Sequence, residues 1–323
     1  MPSPLWIHGL GVTSPLGDTA ATTAAAVRAG VSRRRESVFL NHRGDPMITA
    51  QIPDAALPAL APALADRPPR HRRLLRIATH ALREATRDLA DTSRVPLLLA
   101  LPEPLPGSDS PFGASLLVDL QTQAGLALRA DLGALAPPGR AGALAALPAA
   151  AALLRDPAVP FVLVGGVDSY IDADLLARLD GERRVTAVGV RDGFAPGEGA
   201  AFVLLARERE LPGSRARAAL GPAGLGHEPG HRHSGVPHRG DGLADAVREA
   251  LRGRAAGSVR SVHAGLNGEH EGARAWGVAA VRSSDGFAPD LRVLHPADCL
   301  GDPGAAMAPT AIALAAIDLE RGD

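Results

Sequence analysis

Residues 192–206 constrain the fold of this chain more than any other segment. They read DGFAPGEGAAFVLLA, in which a glycine-rich entry leads into an unbroken apolar run. Gly193, Gly197 and Gly199 permit backbone angles or close approaches that a Cβ would block. The run 201–205 is too continuously apolar for a half-exposed strand, in which apolar and polar residues alternate. The segment therefore predicts a tight loop followed by a fully buried strand.

The rest of the chain alternates between short apolar runs and longer segments with helical spacing. Strands are predicted at 5–12, 95–101, 161–169, 201–205, 216–225, 259–264 and 291–294, and helices at 19–30, 70–89, 112–128, 139–155, 172–179, 240–252, 268–281 and 302–320. Strands and helices of these lengths in alternation imply a mainly parallel sheet with helices on its faces. The helix 139–155 is almost entirely Ala and Leu, so we expect it to be buried on all sides.

Length and composition narrow the class of protein. A chain of 323 residues exceeds the usual size of one simple domain, which favours two similar halves or two domains. The net charge of −1 argues against an electrostatic nucleic-acid binder. The arginine clusters at 33–35 and 70–76 are interpreted as solvated helix ends rather than as a binding stripe.

Cysteine content and hydropathy exclude two further classes. Cys299 is the single cysteine, which excludes an intrachain disulfide framework and a metal site made of cysteines. The N-terminus lacks the pattern of a signal peptide. The most apolar region, 132–154, contains three prolines and an arginine, so a membrane span is not expected. These features predict a cytoplasmic protein with no membrane segment.

Three segments together resemble a known family. Residues 192–206 are similar to the "DGFVxGEGAA" strand of the β-ketoacyl-ACP synthases, which are thiolase-like condensing enzymes; GLGVTSPLG at 9–17 is similar to their opening, and GDPGAA at 301–306 to a motif near their end. A nucleotide-binding interpretation of 9–17 is weaker, because the third glycine and an acidic partner are missing. The resemblance covers almost the whole chain. It implies an α/β, thiolase-like fold with two related βαβ halves, 1–210 and 211–323, and mainly parallel sheets layered between helices, the second half being shortened at its end.

The resemblance also implies a catalytic apparatus, which this sequence does not match. Members of the family carry a cysteine nucleophile at the start of the buried helix, where the helix dipole and backbone amides activate it. Here Arg140 takes that position, and a shifted register offers only Gly139, Ala141 or Gly142. No register supplies a nucleophile, so the resemblance predicts that the acyl-cysteine step is lost.

The two histidine positions of the family are also occupied by other residues. The family's first catalytic histidine lies in a loop after a strand of the second half; here Gly265 takes its position, and Asn267 and Glu269 follow. The second catalytic histidine precedes the glycine–alanine motif near the end, and here Asp302 takes its position. Glu269 has an alternative interpretation as a carboxylate at a helix N-terminus. Asp302 also has an alternative interpretation, as the N-cap of a helix. We favour the N-cap over a catalytic role, although one residue can be both an N-cap and a pocket residue.

Other candidate residues have simpler interpretations. Cys299 is three residues before Asp302 and is a possible relocated thiol, but an inert buried cysteine is favoured. His263 and His270 are interpreted as surface or satisfied residues, and strand alternation points His263 away from the pocket. The histidines at 227, 231, 233 and 238 could hold a metal, but a surface loop is favoured. We therefore predict no metal and no cofactor.

Three functional hypotheses remain. The first is a catalytically degenerate β-ketoacyl synthase relative that acts as a non-catalytic partner, like the chain length factors, in fatty-acid or polyketide biosynthesis. The second is an active acyltransferase with altered chemistry at Glu269, Asp302 or Cys299. The third is a structural interaction protein without an acyl ligand. The resemblance implies an acyl carrier protein or acyl thioester as partner, and a homodimer or a heterodimer with an active synthase.

Overall fold

The computed structural model describes residues 4–104, 110, 112–190 and 192–322. Its helices are α1 (Ala20–Arg28), α2 (Pro69–Thr86), α3 (Ser115–Ala124), α4 (Gly142–Ala145), α5 (Leu147–Leu153), α6 (Ala173–Gly181), α7 (Asp241–Ala250), α8 (His270–Arg282), α9 (Ala297–Leu300) and α10 (Met307–Arg321). Its strands are β1 (Leu5–Thr13), β2 (Arg35–Leu40), β3 (Pro46–Thr49), β4 (Leu97–Ala100), β5 (Ala134–Leu135), β6 (Val162–Ser169), β7 (Glu198–Ala206), β8 (Glu210–Leu211), β9 (Ser214–Arg215), β10 (Ala218–Leu220), β11 (Val259–His263) and β12 (Phe287–Leu294).

One six-stranded sheet organises the molecule, in the order β10–β1–β7–β6–β4–β5. Strand β4 pairs parallel with β5 and β6, whereas β6, β7, β1 and β10 pair antiparallel in succession. A second, two-stranded sheet is formed by the parallel strands β11 and β12. This architecture confirms the α/β class. Because β10 follows residue 210 but joins the first sheet, the division at 210/211 stays a prediction.

The buried strand predicted from residues 192–206 is confirmed. All nine residues of β7 are buried, and the strand lies between β1 and β6. A Cβ at Gly197 would lie 2.9 Å from the carbonyl oxygen of Leu300, and one at Gly199 would lie 2.9 Å from that of Thr13. Neither glycine has a positive φ. Close approach of neighbouring backbone, rather than an unusual backbone angle, therefore explains both glycines.

The single buried helix predicted for 139–155 is wrong. The segment forms two short helices, α4 and α5, which meet at Ala146. Pro148 has no N–H to donate to the carbonyl of Leu144, so a continuous helix loses a hydrogen bond there. Pro148 and its neighbour Ala149 are exposed, and so is Ala152, so the segment is not buried on all sides.

Residues 70–76 do form a helix end, since α2 begins at Pro69, but the expectation that this end is solvated is wrong for Arg73. These residues lie within α2, and the guanidinium of Arg73 donates to Glu198 Oε1 at 2.6 Å. Glu198 is fully buried at the start of β7, where an ionised carboxylate requires a cation and hydrogen bonds. Ser169 Oγ and the backbone N–H of Ile52 also donate to it, at 2.8 and 2.7 Å.

The second half departs further from the expected elements. The strand predicted at 216–225 is limited to β10, and the strand predicted at 291–294 begins earlier, at Phe287. The helix predicted at 302–320 begins at Met307, after a 3₁₀ turn at Gly304–Ala306. Helix α10 packs against the first sheet with the short helices α4 and α5. Within the described ranges, no helix is long and apolar enough to cross a membrane.

Candidate functional site

A cleft of about 700 Å³ lies where four connections of the chain meet. Arg140 comes from the turn before α4, Tyr170 from the end of β6, Asn267 from the loop after β11 and Asp302 from the turn after α9. The cleft also receives a loop that follows β10, through Arg232. Residues from both halves of the chain therefore form its walls.

Arg140 connects the two halves inside this cleft. Its Nη2 donates a hydrogen bond to the carbonyl oxygen of Gly265, and its Nη1 lies 3.3 Å from Asp302 Oδ2. The resemblance placed these residues at the nucleophile position and at the two histidine positions of the family. The structure brings Arg140 into direct contact with both of the others, although the three are far apart in sequence.

Asp302 is held by several donors, and its side chain is only 1% exposed. Asn267 Nδ2 donates to Oδ2 at 2.8 Å, while the backbone N–H of Gly304 donates to Oδ1 at 3.0 Å. The second bond has the form of a cap, but it belongs to the 3₁₀ turn, because the N-cap residue of α10 is Ala306. The predicted N-cap role is therefore wrong, since the 3₁₀ turn has Pro303 at its own N-cap position, and Asp302 is a pocket residue whose carboxylate also binds this turn.

Glu269 is the N-cap residue of α8, but its carboxylate makes no capping bond there. It accepts instead from Arg184 Nε at 2.8 Å, from Arg232 Nη2 at 2.9 Å and from Asn267 Nδ2 at 3.1 Å. Burial alone would raise the pKa of Glu269, but these donors, Arg184 above all, hold the pKa below its ordinary value. Glu269 is therefore an ionised carboxylate whose charge is already neutralised.

Two groups of the cleft, the buried Asp168 and the partly buried Tyr170, were not anticipated from the sequence. Asp168 accepts from the backbone N–H groups of Ser169 at 2.7 Å and Ala305 at 3.0 Å. Burial nevertheless raises the pKa of Asp168 to about 7. Burial, with the nearby charges of Asp302 and Asp168, also raises the pKa of Tyr170 well above its usual range, so its hydroxyl stays protonated. Their place at the end of the apolar strand β6 was the available signal.

Three of the four clustered histidines line the cleft, at positions 231, 233 and 238. The surface-loop interpretation overlooked this contribution, because the loop after β10 has no periodic pattern. His238 Nε2 lies 4.0 Å from Glu271 Oε1. Among the described residues, no group of three or more His, Cys, Asp or Glu side chains is placed to hold a metal ion.

The remaining candidates lie outside the cleft. Cys299 is a buried residue of α9 that does not line it, and burial raises the pKa of its thiol. His270 uses its backbone N–H to bind Asp192 Oδ1 at 2.7 Å. His263 faces a separate groove, beside Asp318. No Cys, Ser or Thr occurs among the described residues that line the cleft.

The cleft therefore contains an ion-pair network rather than an acyl-accepting group. It runs from Arg140 to Asp302, through Asn267 to Glu269, and from there to Arg184 and Arg232. Most of its donors and acceptors are committed to one another. Such a network can hold two halves of a protein together and can recognise a polar or charged ligand at its exposed side.

Comparison with known proteins identifies the fold. Neither a protein-family model nor a curated protein sequence matches the chain. Solved structures do: the ishigamide ketosynthase/chain length factor matches with a TM-score of 0.77 and 18% identity, over 99% of this chain and 87% of that one. A second match is a type II polyketide synthase acyl carrier protein in complex with its ketosynthase bound to the hexaketide. Its TM-score is 0.74 and its sequence identity is 16%, over 99% of this chain and 87% of that one.

A third structure differs in length. The ketosynthase from module 6 of the bacillaene synthase of Bacillus subtilis 168 matches with a TM-score of 0.73 and 15% identity, over 99% of this chain. The chain spans only 61% of that protein. At these identities the likeness concerns the fold. The fold of this chain is that of the thiolase-like ketosynthases, as the three sequence motifs predicted.

Proposed function

We propose, from the ketosynthase fold and the side chains in its cleft, that this chain is a catalytically degenerate ketosynthase relative that acts as a non-catalytic partner, in the manner of a chain length factor. The observation that carries the proposal is the position of Arg140. Its guanidinium lies where the family resemblance places the cysteine, and it is bound to Gly265 and Asp302. A guanidinium stays protonated and cannot attack a thioester.

The residues around Arg140 support the same proposal. Condensation requires donors that are free to stabilise a developing oxyanion. Here Arg140 donates to Gly265, and the amide of Asn267 donates to Asp302 and Glu269. The buried carboxylate of Asp302 would also repel an oxyanion or the carboxylate of an incoming extender unit. The network therefore opposes the chemistry of condensation at each position that should promote it.

The alternative of altered acyl-transfer chemistry has less support. Glu269 is neutralised by two guanidinium groups, and Asp302 lies against a third. Cys299, the possible relocated thiol, is buried away from the cleft, and its raised pKa leaves less thiolate at neutral pH. None of the three combines reactivity with access.

The partners that we propose follow from the fold. One of the similar structures is a ketosynthase/chain length factor, and another is a ketosynthase in complex with an acyl carrier protein. By analogy, this chain would pair with an active synthase of fatty-acid or polyketide type, or with itself, and would contact an acyl carrier protein. A cleft of about 700 Å³ favours a ligand-binding partner over a purely structural protein.

Intact-protein mass spectrometry after incubation with an acyl-ACP or a reactive acyl thioester tests the proposal. The samples are the wild type, Cys299→Ala and Arg140→Cys. We expect no adduct on the first two and a single adduct at position 140 on the third, because that substitution places a thiol in the cleft. An adduct on the wild type that disappears in Cys299→Ala would overturn the degenerate assignment. No adduct on Arg140→Cys would favour the structural hypothesis, without an acyl ligand.

The partner role has a separate test. Co-expression with a tagged ketosynthase, followed by size-exclusion chromatography with light scattering, should give a complex of one copy of each chain. Exclusive self-association would contradict the heterodimer and leave the homodimer.

A further inference from the structure

A second concave surface adjoins the cleft at Arg140. This groove has a volume of about 810 Å³, and its floor is one face of α10. The floor residues recur at helical spacing and are Ala308, Ala311, Ile312, Ala315 and Leu319. The side walls come from α4, through Ala141 and Leu144, and from β11. The groove is thus mainly apolar, and its floor from Ala308 to Leu319 extends over about 16 Å.

Arg140 stands at the boundary between the groove and the cleft. Arg140 and Gly265 line both cavities, as do Gly272 and Ala275 of α8. The guanidinium has five N–H donors, and its described contacts, with Gly265 and Asp302, employ two of its three nitrogens. Its side chain is 33% exposed. It can therefore form a charge-assisted hydrogen bond to a molecule in the groove without leaving Asp302.

The charges that line the groove favour an anion. Its ionisable residues are Arg140, Arg260, His263 and Asp318. Asp318 is already paired with Arg28 at 3.2 Å, and His263 Nε2 lies 3.3 Å from its other oxygen. Two guanidinium groups thus face one carboxylate that is neutralised from outside the groove.

His263 adds a polar contact without adding charge. Its side chain is 6% exposed. The 3.3 Å contact of Nε2 with Asp318 Oδ2 does not have the geometry of a hydrogen bond, so neither ring nitrogen has a hydrogen-bond partner within the described part of the chain. Burial lowers the pKa of His263, so the ring is neutral at pH 7. An unpaired polar group in an apolar groove is costly unless a bound molecule or water satisfies it.

We propose that the groove binds an aliphatic carboxylate non-covalently, with the carboxylate on Arg140 and the chain along the apolar face of α10. The ligand is a free acid rather than a thioester. Its head meets Arg140 from the side of the groove, so the cleft remains available. This site does not depend on the partner role proposed above, because the groove and Arg140 are present in the single chain.

Titration calorimetry with decanoate and dodecanoate, below their micelle concentrations, tests the site. We expect saturable binding with one molecule per chain, and affinity that rises roughly fourfold for each added methylene group. Dodecanol, which has the same chain and no charge, should bind at least about tenfold more weakly than dodecanoate. Equal binding of the alcohol and the acid would overturn the carboxylate assignment.

Two pairs of variants locate the ligand. Arg140→Gln should weaken dodecanoate binding at least about tenfold, whereas Arg232→Gln should not. Arg232 is a suitable control because it is also 33% exposed and lines the cleft but not the groove. Ala315→Trp should fill the groove and abolish binding. Val281→Trp, at a position 77% exposed and outside the groove, should leave binding unchanged.

Three outcomes would overturn the proposal. These are no binding to the wild type, equal affinities of Arg140→Gln and Arg232→Gln, or a loss of affinity in Arg260→Gln rather than in Arg140→Gln. Thermal melting of each variant shows whether it is folded. A failure here leaves the acylation experiment unaffected, because that experiment probes the cleft.

Discussion

The two predicted halves of the chain, residues 1–210 and 211–323, both contain strands and helices in alternation, but their strands differ in burial and pairing. Strands β6 and β7 of the first half are buried along their whole length and have a neighbour on both sides. In the second half, β11 has one neighbour among the described strands, β12, and most of its residues are only half-buried. The first half therefore provides most of the buried core, to which α10 of the second half adds one apolar face. The second half presents the open surfaces on which a ligand or a partner can lie.

The largest expected contrast concerns ion pairs. Replacing Arg73 by Met leaves the fully buried carboxylate of Glu198 without its cation, which should cost about 3–5 kcal/mol of unfolding free energy. The corresponding change in the second half, Arg282→Met, removes an exposed pair with Asp241 and should cost about 0–1 kcal/mol. Urea unfolding of both variants measures the difference. Similar losses in the two variants would contradict the expectation that the buried pair contributes more than the exposed one.

The next largest loss of stability is expected where the first half is closely packed. A methyl group at Gly11 would collide with the carbonyl of Ala81 in α2. Gly11→Ala should therefore destabilise the protein by about 1–3 kcal/mol, since β1 and α2 must separate to accommodate it. Denaturant midpoints provide the measurement. A neutral result would mean that the sheet and α2 can move apart freely.

The two halves should also respond oppositely to pH, through one carboxylate each. The pKa of Asp168 is raised to about 7, so the folded state keeps a proton that the unfolded chain releases from about pH 4 upward. The stabilisation that Asp168 contributes is complete below about pH 4 and is lost as the pH rises towards 7. The pKa of Glu269 is lowered, so its stabilisation is present above the ordinary glutamate pKa and is lost as the pH falls.

Unfolding free energies from pH 3 to 8 test this contrast. Asp168→Asn should remove a decline of at most about 1.4 kcal/mol per pH unit between pH 4 and 7. Glu269→Gln should instead make the loss of stability on acidification shallower. Parallel pH profiles for the wild type and both variants would contradict the assignment.

The smallest expected effect has the opposite sign. Gly277 lies in the exposed middle of α8, with open space where a Cβ would be placed. Gly277→Ala should stabilise the protein by up to about 1 kcal/mol, because alanine is the better helix former. Thermal melting of this variant beside Gly11→Ala gives a matched comparison of glycines in the two halves. A destabilising result would show that this face of α8 is covered by something else.

How well the sequence predicted the structure also differs between the halves. Strand β7 was predictable because its apolar run has no interruption, whereas Asp290 and Arg292 interrupt the pattern of β12 and hide its first part. The broken helix at Pro148 was visible in the sequence, but apolar composition was given more weight than the missing N–H. The local apolar pattern of the sequence therefore predicts a strand best where that strand is buried on both faces.

The site was predictable only where a motif fixed the register. Arg140, Gly265 and Asp302 were identified from their places in family motifs, and they meet in the structure. Arg184 was not identified, because it lies between α6 and β7 with no motif around it, and its partner Glu269 is 85 residues away. A pair of this kind depends on tertiary structure alone. The same is true of the loop that carries Arg232.

The placement of β1 in the sheet means that this strand is synthesised long before the strands with which it pairs. Strand β1 begins at Leu5, yet both of its neighbours in the sheet, β7 and β10, lie at residues 198–206 and 218–220. At ordinary translation rates, roughly 10–40 seconds pass between the appearance of β1 and that of β7. During that interval an apolar strand has no partner in its sheet. Cotranslational protection of β1, for example by chaperones, should therefore matter until β7 has been synthesised.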